Sequence, residues 1–142
     1  MTQYEQIKED LKSAMKSGEK DKTGVLRFLL ADIKNEAVNS NADRENIPDD
    51  VTMKVLEKAA KSRKDAITVY DQQGRTDLAE PERKELQILQ SYLPAQLSDA
   101  ELQNIVQKVK AENPSMQGMA LMGKIMPLVK GKADPDRIKS LL

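Results

Sequence analysis

The sequence of 142 residues contains no cysteine, no histidine and no tryptophan, and aromatic residues make up only 3% of it. Without cysteine there is no disulfide, no thiolate metal ligand and no thiol nucleophile. Without histidine there is no imidazole ligand and no triad that relies on an imidazole base. A net charge of zero, from 23 basic and 23 acidic residues, removes any overall field that would draw the chain onto nucleic acid. Affinity for RNA would have to come from local patches. No run of ~18 apolar residues is present to span a bilayer, and the segment Met1 to Ile7 carries no apolar stretch of signal-peptide length. These absences predict a cytoplasmic protein with no membrane partner.

What is present favours helices. Hydrophobic residues reach 39% and charged residues 32%, and the bias is toward Ala, Leu, Lys, Glu and Gln. The chain is long enough for one full core or two small ones. Tyr4, Ile7, Leu11, Ala14 and Met15 recur at spacings of three and four, so a first helix is predicted over residues 2–17, ended by Gly18. Asp21 is placed to cap a second helix whose stripe is Leu26, Leu29, Leu30, Ile33 and Ala37. Residues 39–48 lack period and read as a loop. A long third helix opens at Asp49 or Asp50, carries Val55, Leu56, Ala59, Ala60, Ile67 and Tyr70, and closes at Gly74.

A fourth helix spans about residues 77–92, with Pro81 in its first turn and Pro94 beyond its end. Ser98 and Glu101 form an S-x-x-E capping box for a fifth helix, which bears Leu102, Ile105, Val106 and Val109 and ends near Asn113-Pro114. The sixth carries Leu121, Met122, Ile125 and Met126, and Pro127 predicts a kink or an early stop. Asp134 before Pro135 caps a last short helix to Leu142. The expected architecture is all-α, an N-terminal four-helix unit over residues 1–94 followed by a three-helix unit over 95–142, as a monomer.

On the fourth helix, Leu78, Glu82, Glu85, Leu89 and Tyr92 share one face at 100° per residue. Carboxylates within an apolar stripe need cations or strong donors. Arg27, Arg63 and Arg75 are the candidates, with Lys34 on the same flank of the second helix as Arg27. The group is either a carboxylate pair for acid-base work or an ion-pair network that sets helix register, and the network is the expected outcome. Over residues 54–64 the third helix carries Lys54, Lys58, Lys61, Arg63 and Lys64 against Glu57 alone. That stripe could track phosphates, yet no aromatic platform lies beside it, and a solvated face is favoured.

Met116, Met119, Met122 and Met126 cluster around Gly118 and Gly123, suited to irregular core packing or to an adaptable binding groove. Residues Gly118 to Lys124 fit G-x-x-x-x-G-K, but no strand precedes them and Ile125 follows where a phosphate loop needs a hydroxyl. From Lys124 onward, Lys124, Lys130, Lys132, Arg137 and Lys139 face only Asp134 and Asp136. Lys130 and Lys132 beside the helix start at Asp134 make either a phosphate contact or an ordinary capped turn.

Several segments, in order, look like one family. They are residues 25–36 (VLRFLLADIKNE), 61–67 (KSRKDAI), 74–79 (GRTDLA), 92–98 (YLPAQLS) and 122–126 (MGKIM). Collinear and covering nearly the whole chain, they resemble the GatB/YqeY family, the helical and tail region of the tRNA-dependent amidotransferase B subunit. The resemblance implies a small tail unit that contacts tRNA, here carried by residues 122–126 and 130–134, with Lys124, Lys130, Lys132 and Arg137 as RNA contacts. It also implies the family label of carbon-nitrogen ligase with glutamine as amido-N-donor. The cradle domain in which such an amidotransferase performs its chemistry has no counterpart here, nor has the Ser-Ser-Lys amidase signature. The chain is therefore expected to bind tRNA or another structured RNA rather than to catalyse alone, with no cofactor, no metal and no catalytic residue. The other reading is a protein-interaction adaptor that docks through the Met-rich C-terminal face.

Overall fold

A computed structural model describes residues 1–142 as seven helices with no strand, so the chain is all-α. They are α1 (Gln3–Ser17), α2 (Lys20–Asn39), α3 (Asp49–Gln72), α4 (Thr76–Gln90), α5 (Asp99–Glu112), α6 (Met119–Val129) and α7 (Pro135–Lys139). The chain divides into two compact units, Met1–Leu93 with α1 to α4 and Pro94–Leu142 with α5 to α7.

In the first unit, Thr2 accepts the Glu5 amide while Glu5 takes the Thr2 amide, a reciprocal cap that starts α1. Gly18 ends the helix at φ 73°, a left-handed conformation that costs glycine nothing. Its neighbour Glu19 donates to Ala14 O at 3.0 Å, and α2 begins at the next residue. Asp21 therefore lies inside the first turn rather than at the cap, because the tight turn leaves no room for a longer lead-in. One cluster fills this unit: Tyr4 and Ile7 from α1, Leu26, Leu29, Ile33 and Ala37 from α2, Val55 and Leu56 from α3, and Leu89 from α4. Ile47, in the 40–48 loop, is buried among them and anchors that connection.

Thr52 is fully buried on α3 and its hydroxyl has no hydrogen-bond partner. An orphaned buried hydroxyl costs free energy that a methyl group of the same shape does not. Thr52→Val should raise stability by about 1 kcal/mol, read as a higher urea midpoint with an unchanged slope. A lower midpoint would mean that the hydroxyl is satisfied by water.

Pro81 lies past the first turn, as the sixth residue of a helix that starts at Thr76. Its side chain is exposed, and the helix continues through it. Pro127 likewise neither stops nor shortens α6, which runs to Val129. Pro127 and Gly123, whose carbonyl it cannot bond, are both exposed, so water can take the freed acceptor.

In the second unit, the Ser98–Glu101 capping box starts α5 as its spacing predicts. The core is Leu102, Val106 and Val109 from α5, Leu121, Met122, Ile125 and Val129 from α6, and Ile138 from α7. Every aromatic residue of the chain lies at or before Tyr92, so this core is built from aliphatic side chains and methionine alone. α7 ends at Lys139, short of Leu142.

Candidate functional site

Both units gather charged side chains at the surface. In the first unit, Arg63 on α3 reaches both carboxylates of α4: its Nε donates to Glu85 Oε2 at 2.8 Å and lies 3.5 Å from Glu82 Oε2. The three side chains are 21% (Arg63), 29% (Glu82) and 38% (Glu85) exposed, so water screens them only in part. Arg27 and Arg75 do not join them. Arg75 bonds Asp77, two residues on, because that carboxylate is closer along the chain. The contact lowers the Asp77 carboxyl and raises the guanidinium. Arg27 projects toward α1, where a guanidinium nitrogen lies 3.8 Å from the Met15 sulfur.

The inward stripe of α4 is also turned from the expected one. Ala79 is buried and Leu78 is exposed, so the stripe follows Ala79, Glu82, Leu86 and Leu89. The offset is about 60° and leaves Glu85 at the edge of the stripe. Tyr92, beyond the helix, donates its hydroxyl to Asp10 at 2.5 Å, and its carbonyl accepts from Gln3 Nε2 at 2.7 Å. Burial and the Asp10 carboxylate push this phenol well above its ordinary value, so it remains a donor at any physiological pH.

The basic stripe of α3 is divided between its neighbours. Lys54 pairs with Glu36 of α2 at 2.6 Å, and Arg63 pairs with α4. The hydrogen bond from Lys54, then that from Ser40, holds the Glu36 carboxyl below its ordinary range. No group of three or more acidic side chains is arranged to hold a metal ion.

In the second unit, Lys124, Lys130 and Lys132 are exposed and none forms an ion pair. The turn that carries Lys130 and Lys132 is strapped down. Gln96 Nε2 donates to Gly131 O at 3.0 Å, and the Leu97 amide donates to Lys132 O at 2.8 Å. Arg137 is committed elsewhere: one guanidinium nitrogen donates to Leu97 O at 2.8 Å and to Asp99 at 2.9 Å. Long-range folding brings the 97–99 segment onto Arg137, which its local sequence cannot reveal. Arg137 therefore acts as a clasp within this unit rather than as a surface cation. The start of α7 is no anion site either, since Asp134 already accepts the Asp136 amide and puts a carboxylate there.

Of the four clustered methionines, Met122 is buried and Met116 and Met126 pack against the core, leaving Met119 exposed at 74%. Gly118, at φ 58° and ψ −126°, opens α6 with no side-chain cap.

Residues 4–142 match a known family, described as Yqey-like protein. The chain belongs to the YqeY family. Curated relatives of this YqeY chain are 26–36% identical to it over the aligned residues. The Kluyveromyces lactis protein named "Altered inheritance of mitochondria protein 41, mitochondrial" is 32% identical over 143 residues, covering 94% of this chain and 76% of that protein. A Clavispora lusitaniae protein of the same name is 32% identical, with 96% and 82% covered. The same-named protein of Lachancea thermotolerans is 31% identical, with 78% and 62% covered.

Those names overturn the expectation of a cytoplasmic protein, since each places its bearer in mitochondria. The expectation rested on the lack of a signal-peptide-length apolar stretch and of a membrane-spanning run, features that proteins of other aqueous compartments lack as well. That no helix is long and apolar enough to cross a membrane stands as a separate fact.

Proposed function

We propose that this YqeY protein binds structured RNA, with tRNA the first candidate, through its C-terminal unit, and that Lys124, Lys130 and Lys132 make the contacts. The observation that supports this most is three exposed lysines without ion-pair partners, two of them on a turn whose carbonyls are fixed by Gln96 and Leu97. A cation held on a rigid turn meets a phosphate at a smaller entropic cost than one on a mobile loop. Arg137 belongs to the clasp and drops out of the contact set. The resemblance to the tail of the amidotransferase B subunit points the same way and supplies the choice of tRNA. Ligase chemistry forms no part of this reading.

Binding of this kind is weak and shape-directed. The unit has no aromatic side chain on which a base could stack, and lysine ammonium groups read charge rather than base edges. A variant with all three lysines changed to alanine should fold normally, because none of the three contributes to the core. Its affinity for tRNA, followed over a salt series, should show a log-log slope flatter by about two to three units. An unchanged slope, or no binding by the unaltered protein at low salt, would remove RNA from the account.

A further inference from the structure

A groove of about 410 Å³ runs between α1 and α2 in the first unit. Tyr4, Leu11, Met15, Leu30 and Ala31 form its apolar lining, and Lys8, Lys12, Arg27 and Lys34 are the only charged residues along it. No carboxylate lines it. The cations are poorly engaged. Lys12 meets Glu9 at 3.5 Å with both side chains more than half exposed, and Lys8 lies 5.6 Å from the centre of the Tyr4 ring. Arg27 reaches only the weak sulfur acceptor of Met15, and Lys34 forms no ion pair. Met15 is 51% exposed and Leu11 and Leu30 are half-buried, so apolar surface remains open beneath the charges.

The geometry points to a docking site for an acidic amphipathic helix of a protein partner. From Tyr4 to Met15 the groove follows α1 for ~16 Å, the length of three helical turns. Lys8 and Lys12 are one turn apart on α1, and Arg27 and Lys34 are two turns apart on α2, so each wall carries a pair of cations. A helix that lays an apolar stripe on Leu11, Met15 and Leu30, with glutamates or aspartates on both flanks, would meet all four. A single anionic head group on a short tail would engage one end and leave the rest unused. A nucleic-acid backbone would satisfy the cations and leave the apolar lining without a partner.

The test uses the full chain and a labelled synthetic peptide of about four helical turns, with leucines at helical spacing along one face and glutamates on both sides of it. A twin with every glutamate replaced by glutamine retains the apolar face. The peptide should bind and shift the amide resonances of α1 and α2, and both the twin and the Arg27→Glu/Lys34→Glu variant should bind on the order of tenfold more weakly at physiological salt. Both substitutions are on exposed rim positions, and Met15→Ser provides a second variant that removes apolar contact without altering charge. Equal binding by the twin, or by both variants, would overturn the proposal. Loss of tRNA binding in the charge-reversal variant would overturn it in favour of a nucleic-acid surface, and concentration-dependent dimerisation abolished by that variant would overturn it in favour of a second copy of the chain. The lysines of the RNA reading lie in the other unit, so either proposal can fail without the other.

Discussion

Ile125→Ala is expected to unfold residues 94–142 while residues 1–93 remain folded. Ile125 is fully buried on α6, in a cluster with Leu102, Val106, Val129 and Ile138. Truncating such a side chain costs about 2–5 kcal/mol, more where the surroundings cannot close over the gap. The unit from Pro94 to Leu142 is small, and at typical stability per residue it holds together by roughly 2–7 kcal/mol. One cavity can therefore consume most of that margin. Hydrogen exchange read residue by residue should show α5, α6 and α7 losing protection while α1 to α4 retain theirs. Equal loss across all seven helices would mean that the chain unfolds as one cooperative block and that residues 1–93 do not fold independently.

Arg63→Ala should destabilise the first unit by about 1–3 kcal/mol. The substitution leaves Glu82 and Glu85 one turn apart on α4 with no cation between them, next to the apolar side of α3. Arg63→Met retains the apolar stem and should cost less, because part of the contribution of a long cationic side chain is packing. Adding Glu85→Gln to Arg63→Met should recover part of the remaining loss, since it removes one of the two stranded charges. Urea denaturation of the wild type, Arg63→Met, Glu85→Gln and the double variant forms a cycle that isolates the charge coupling, and the difference between Arg63→Ala and Arg63→Met reports the packing of the stem. If Arg63→Ala moved the midpoint no more than an ordinary surface substitution does, the three side chains would be a solvated cluster with no role in joining α3 to α4.

Much of this architecture was legible because helix ends are written locally. The Ser98–Glu101 box, Gly18 and the Asp134–Pro135 start each act within four residues of themselves. The Thr2–Glu5 box has the same signature and could have been read in the same way. Side-chain roles were less legible because they depend on what the fold returns to them. Arg137 reads as a surface cation until the 97–99 segment lies against it, and Arg27 reads as a partner for α4 until it is found over Met15. The α1 half of the groove did carry a signal, since Lys8 and Lys12 are spaced by four and flank Leu11. What the sequence could not supply was the opposing wall, which exists only once Gly18 folds α2 back along α1.

The aliphatic core of the C-terminal unit has an optical consequence. Tyr4, Tyr70, Tyr92 and Phe28 all belong to the N-terminal unit, so near-ultraviolet absorbance, tyrosine emission and near-ultraviolet dichroism report on that unit alone. A fragment released by cleavage after Leu93 would pass an absorbance detector at 280 nm unseen, and a chain whose last three helices had melted would still give the tyrosine signal of a folded protein.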